Sequence, residues 1–246
     1  MEELTQRQID VLKAIIKEYI ETGQPVGSEI IEKKYKIGVS PATIRNEMVQ
    51  LAKKNYLKKS YFSSGRIPSA KGFRFYINNL MEEKELSTVD EVSYKNSIWD
   101  ERKKLHRLLS QATKVLSQRT VLLSLAATSE GDIYYAGISN LLNYPEFLDI
   151  NLSKSLFTRL DEINFWELIL REFEDFEGEI RCMLGEEDFR DPIFDQCASV
   201  WGEFTGKSVK GLIGVVGSKR MYYDFVIPQI KYFSNLIEEI INEQGF

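Results

Sequence analysis

The stretch VSPATIRNEMVQLAKK, residues 39–54, decides the fold. Ser40 has the side chain that accepts a bond from the first free amides of a helix, and Pro41 stands at the first helical position, where its missing N–H loses nothing. Ile44, Met48 and Leu51 fall at i, i+4 and i+7 and must turn to a core. Ala42, Arg45, Asn46, Val49 and Lys53 are then left on the opposite stripe. Such a stripe has the chemistry of a DNA reader. Arg bonds guanine O6 and N7 together, Asn does the same with adenine N6 and N7, and a small apolar group touches a thymine methyl. The spacing predicts a recognition helix from 41 to about 54, and we count Ser40, Pro41, Ala42, Thr43, Arg45, Asn46 and Lys53 as its DNA-binding residues.

Upstream, a helix follows Thr5, with Ile9, Leu12, Ile15, Ile16, Tyr19 and Ile20 on one face, and ends at Thr22-Gly23. Pro25 keeps the connection extended. Ser28 is expected to cap a second helix through Ile30, Ile31 and Tyr35, closed by Gly38. Two short helices joined by a tight glycine-containing turn make a helix-turn-helix. Downstream, 56–60 reads as a strand, 62–66 as a turn and 67–68 as a return strand, which is a wing. Arg66 is expected at its tip, reaching a minor groove, while Lys58, Lys59, Ser63 and Ser64 bond phosphates. Ser69 caps a further helix whose Phe73, Phe75, Tyr76, Ile77 and Leu80 form a core or interface side. Lys71 and Arg74, in its first turns, are candidates for contacts to the DNA backbone.

Charge agrees with this placement once the chain is divided. The whole 246-residue chain carries a net charge of -5. Residues 1–81 hold 14 Lys and Arg against 8 Asp and Glu, and residues 82–246 hold 18 against 29. Within 33–74 there are 11 basic residues and one acid, Glu47. Basic density of this kind neutralises phosphates and releases condensed counterions, although on charge alone a solvated basic surface would serve as well. The predicted organisation is a DNA-binding domain over 1–81, a linker or pairing helix within 82–119, and a regulatory and assembly domain over 120–246. In the middle part Ile98, Leu105, Leu109, Ala112 and Leu116 run at near-heptad spacing, so a helix over 98–118 could pair with its symmetry mate.

The third part mixes candidate strands at 120–127, 133–138, 179–184, 198–204 and 211–216 with candidate helices at 152–160, 165–173 and 225–243. Val226, Ile230, Phe233, Ile237 and Ile240 give the last helix its apolar face. The pattern is an α+β domain, an antiparallel sheet with helices packed on it.

Little in the chain calls for catalysis. Gly211, Gly214 and Gly217 are spaced as neither a Walker loop nor a dinucleotide fingerprint, and a closely packed strand accounts for them better than a phosphate cradle. The acidic clusters at 172–177 and 186–188 have no histidine beside them, and the single His106 reads as a surface or packing residue. Cys182 and Cys197 are too few for a disulfide framework or a structural zinc site, and read as reduced thiols. No cofactor or metal is implied. No apolar run is long enough to span a membrane and the start is acidic and polar, so a cytoplasmic protein is expected. A ligand-sensing regulator and an enzyme with a DNA-binding appendage are the rival readings.

Five segments together resemble one family, the heat-inducible transcription repressors of the HrcA type. They are LTQRQIDVLKAIIKEYIETGQPVGS (4–28), VSPATIRNEM (39–48), SSGRIPSAKGFRFYI (63–77), ISNLLNYPEF (138–147) and GLIGVVGSKRMYYDFVIPQIKYFSNLI (211–237). The resemblance implies a winged helix-turn-helix followed by a GAF-like antiparallel sheet domain. It also implies a homodimer on a double-stranded inverted-repeat operator of the CIRCE type in front of chaperone genes, released on heat stress, with activity supported by the GroE chaperonin. This sequence departs from the family pattern between Ala127 and Ile133, where only Thr-Ser-Glu-Gly-Asp stands in place of a long segment that includes the region associated with dimerisation, so pairing is expected through the helix over 98–118, the aromatic helix over 70–80 or the sheet domain.

Overall fold

The computed structural model describes residues 4–60, 64–162 and 178–246. Two compact units result, Met1–Glu82 and Glu83–Phe246.

The first unit is built on α1 (Gln6–Thr22), α2 (Ser28–Tyr35), α3 (Pro41–Lys53), the strands β1 (Leu57–Lys59) and β2 (Arg66–Pro68), and α4 (Ala70–Asn79). Local chemistry sets most of the boundaries. Thr5 and Gln8 form a capping box at the start of α1, and Gly23 closes it in the left-handed region at φ 66°. The apolar face of α1 is fully buried at Val11, Leu12, Ile15 and Ile16, each contributing about 1.5–3 kcal/mol. Two expectations fail on α2. Gly27, not Ser28, is its cap, because Val26 is held in a backbone bridge to Arg66 and the helix begins directly after it. The chain leaves α2 at Lys36, with φ 48°, ahead of Gly38. Tyr35 is the reason, since its hydroxyl donates to Glu18 Oε2 at 3.0 Å and anchors the last turn. The buried Glu18 also accepts from Lys34 at 2.7 Å, and Glu21 accepts from the same ammonium at 2.6 Å.

In the second unit a five-stranded antiparallel sheet has the order β4-β3-β7-β6-β5. Its strands are β3 (Leu123–Thr128), β4 (Ile133–Ala136), β5 (Ile180–Leu184), β6 (Cys197–Thr205) and β7 (Lys210–Ser218). One face carries α6 (Leu105–Thr120) and the long terminal helix α9 (Tyr223–Gln244), with α5 (Thr88–Trp99) packed on α6. Under the other face, Leu123, Leu125, Trp201, Leu212 and Val216 join Leu141, Phe147, Leu152, Leu156 and Phe189 in one core. Those partners come from two 3-10 turns (Ile138–Asn143 and Pro145–Leu148), α7 (Ile150–Asp161) and the short α8 (Gly185–Phe189). This is the α+β build that the sequence pattern predicts. The helix expected over 165–173 lies outside the described residues.

The helix expected over 98–118 is two helices, broken at 100–104, and its apolar stripe is not available for pairing. Leu108, Leu109, Ala112 and Leu116 are all 0% exposed, packed against the unit's own sheet and α9. The glycine series of β7 has a steric cause. A Cβ on Gly211 would stand 2.4 Å from the Phe204 ring, and one on Gly214 2.3 Å from Val200 O and 2.4 Å from the Trp201 ring. Large rings on β6 lie across the bare backbone at Gly211 and Gly214, and a Cβ on Gly217 would stand 2.8 Å from Leu122, so close packing accounts for all three glycines.

Candidate nucleic-acid interface

The candidate interface is built on α3. Ser40 Oγ accepts from the Thr43 amide at 3.2 Å, with the two hydroxyls 3.0 Å apart, so both serve the cap. Such a cap stabilises a helix by about 1 kcal/mol. Ile44 and Leu51 are 0% exposed and Met48 4%, fixing the helix by its inner face. Ala42, Arg45, Asn46 and Lys53 are exposed, and among the described residues the last three have no side-chain partner; Pro41, Thr43 and Val49 are half-buried. Gln50 stands exposed on the same side, one turn beyond Asn46, and was missed by sequence reasoning. Its i+4 relation to Asn46 is the signal that could have found it, because Gln reads adenine as Asn does.

Glu47, the single acid of the basic block, is turned away from this stripe. Gln8 Nε2 donates to it at 3.2 Å and Arg7 lies 3.7 Å away, both from α1. The negative charge is therefore taken up inside the unit, and α3 is tied to α1 by the same contacts.

The other predicted residues divide. Lys59, on β1, and Ser64 are exposed at the wing, and Arg74 is half-buried on α4. Ser63 lies outside the described residues. Arg66 is not at the tip. It pairs with Lys59 within the β1-β2 ladder, exchanges both main-chain bonds with Val26, and folds its guanidinium back onto the carbonyls of Ser64 at 3.1 Å and Gly65 at 3.3 Å. A return strand one residue longer than expected causes the difference. Lys71 is likewise engaged: its ammonium donates to Lys54 O at 2.9 Å and sits 4.4 Å from the centre of the Tyr56 ring. It closes the C-terminus of α3, where a cation meets the negative end of the helix dipole. Lys34 is spent on Glu18 and Glu21, whose carboxylates hold its ammonium above the ordinary lysine range. Among the described residues, no internal side-chain bond occupies Arg45, Asn46, Gln50, Lys53 or Lys59.

A capped helix with an outward Arg-Asn stripe and a two-stranded wing, in one chain with an α+β sheet unit, defines a winged-helix transcription regulator. The chain belongs to the HrcA family: the family model described as HrcA protein C terminal domain matches residues 43–227. It is 28% identical to the heat-inducible transcription repressor HrcA of Desulforamulus reducens, over 97% of each chain. The namesake in Carboxydothermus hydrogenoformans is 26% identical, over 99% of this chain and 100% of that one. Against Clostridioides difficile HrcA the identity is 40%, over 51% of this chain and 37% of the other. The D. reducens alignment runs to 340 positions, more than the 246 residues here, so that relative carries sequence this chain lacks. A crystal structure described as a hypothetical protein superimposes with a TM-score of 0.76 at 19% identity, covering 98% of this chain and 100% of its own, and shares the fold. No helix among the described residues is long and apolar enough to cross a membrane.

Proposed function

We propose that this chain represses heat-shock genes by holding a double-stranded, inverted-repeat operator of the CIRCE type, two copies at a time, and leaves it on heat stress. The supporting observation is the unoccupied stripe of α3, set on a cap and a buried face that fix its orientation, with the one nearby acid withdrawn. Two such helices related by a two-fold axis enter successive major grooves about 34 Å apart, or a multiple of that distance. Lys59, Ser64 and Arg74 then serve as phosphate contacts, which set register without reading sequence. The unit over 1–82 reads DNA, and the unit over 83–246 assembles and regulates. Bound protein blocks initiation without any chemical step, so no catalytic residue or cofactor is required, and the bacterial cytoplasm is the place of action. Family resemblance supports GroE as the chaperonin that returns heat-inactivated protein to its DNA-binding form. Refolding the denatured protein with and without GroE, followed by operator gel shift, tests that step; equal recovery in both would count against it.

One observation favours an added ligand response. A half-open cavity of about 340 Å³ lies in the second unit beside Leu125, Ile133, Tyr135, Ile138 and Phe157, within the size range of small-molecule sites. A thermal-shift screen of small apolar acids and amines tests it, and no stabilisation by any of them would count against it.

A further inference from the structure

β4 is an outer strand of the sheet. The Thr128 amide donates to Asp132 O at 3.0 Å, and the register pairs Ala126 with Tyr134 and Ser124 with Ala136. In an antiparallel ladder, hydrogen-bonded and non-bonded pairs alternate. The peptide groups of Tyr134 and Ala136 therefore turn to β3, and those of Ile133 and Tyr135 turn outward. Among the described residues neither outward pair of groups has a main-chain partner. Folded proteins ordinarily protect such an edge with charge, proline or a bulge. Here the strand reads Ile-Tyr-Tyr-Ala, and Tyr135 is 61% exposed. Apolar surface lies close by on both faces of the sheet, with Ile138 39% exposed at the cavity face and Val121 51% exposed on the side of α6.

Charge identifies what covers this edge. The N-terminal end of β4 is acidic, with Glu130 and Asp132 exposed. Its C-terminal end is flanked by a groove in which the exposed Lys114 lies with Gln118, Val121, Ala136 and Gly137. An antiparallel partner of the same sequence brings the acidic end of one strand to the basic end of the other, twice. Unlike charges opposite one another across strands are stabilising and like charges are not. The edge is thus self-complementary, which is what a two-fold interface requires.

We propose that two copies of this chain pair through β4, antiparallel about a two-fold axis near Tyr135, joining two five-stranded sheets into one. The proposal rests on the reading that two copies act together, and it names the surface that joins them. The β3-β4 turn, the four residues 129–132, does not cover this edge, and among the described residues no strand pairs with it.

Sedimentation equilibrium of the full chain, without DNA and at micromolar concentration, tests it. The wild type is expected to be a dimer. Tyr135→Pro removes an outward N–H and leaves the bonds of Tyr134 and Ala136 to β3, a position where an edge strand accepts proline. It is expected to raise the dimer dissociation constant at least about tenfold with an unchanged circular-dichroism spectrum. Lys114→Glu and Asp132→Lys are each expected to weaken the dimer, and the double variant to restore it. A monomeric wild type, or a folded Tyr135→Pro that dimerises normally, overturns the proposal. If Tyr135→Pro does not fold, the charge series decides, and a double variant no better than the singles overturns it. A dimer that binds no DNA would defeat the operator reading alone, whereas a folded Tyr135→Pro that still dimerises and holds the inverted repeat would defeat this interface alone.

Discussion

In the proposed function, single side chains on α3 read the operator. Arg45 is exposed and has no side-chain partner among the described residues, so Arg45→Ala is expected to lower operator affinity by about 1–3 kcal/mol and to relax base preference at one position. Lys59→Ala should weaken operator and random DNA alike, and reduce the slope of log affinity against log salt by about 1. Gel-shift titrations over a range of salt separate the two; an unchanged operator affinity for Arg45→Ala would remove it from the reading role. These positions were legible in the sequence because an N-cap, a proline at the first turn and a 3.6-residue period are local signals. Arg66 was misplaced for the opposite reason. Its position depends on a bridge to Val26, forty residues away, which no local pattern announces. Lys71 was misjudged similarly, since the carbonyl it caps belongs to the preceding helix.

Between elements, a few polar contacts fasten what the apolar core packs. The 3-10 turn at Pro145–Leu148 is fastened to the β7-α9 turn by Glu146, which accepts from Arg220 Nε at 2.7 Å and from Ser218 Oγ at 2.8 Å. Burial pushes the Glu146 carboxyl upward, but the bonds from Arg220, its own main chain and Ser218 outweigh it and hold it below the usual carboxylate range. A carboxyl lowered in the folded state stabilises above its unfolded pKa, and that contribution is lost as pH falls through the folded value. Glu146→Gln is therefore expected to destabilise by about 1–3 kcal/mol at neutral pH and to flatten the acid-induced loss of stability below about pH 4. Urea unfolding at pH 7 and pH 3 checks this, and an equal deficit at both would contradict it. Gly214→Val should cost about 1–3 kcal/mol by driving a side chain into the Trp201 ring, seen as a lower urea midpoint. Strand positions were readable as short apolar runs, which are buried almost throughout in β3, β6 and β7, but the sheet order and the ring-over-glycine packing were not, because pairing between distant strands leaves no mark within either. Near-heptad spacing likewise could not show the break at 100–104, nor that the stripe would be claimed by the unit's own core.

At the scale of the molecule, a basic N-terminal unit and an acidic C-terminal unit share one chain whose net charge hides the division. A pair formed through the sheet edge would give one DNA-binding surface two-fold symmetry without an inserted dimerisation segment. The most direct test of operator reading is selection of bound sequences from random double-stranded DNA with the wild-type chain, repeated with Arg45→Ala. An inverted repeat, its half-sites separated by a whole number of helical turns and blurred at one base position in each half by Arg45→Ala, is the predicted result. No enriched sequence, or the same motif equally sharp in both selections, would contradict it.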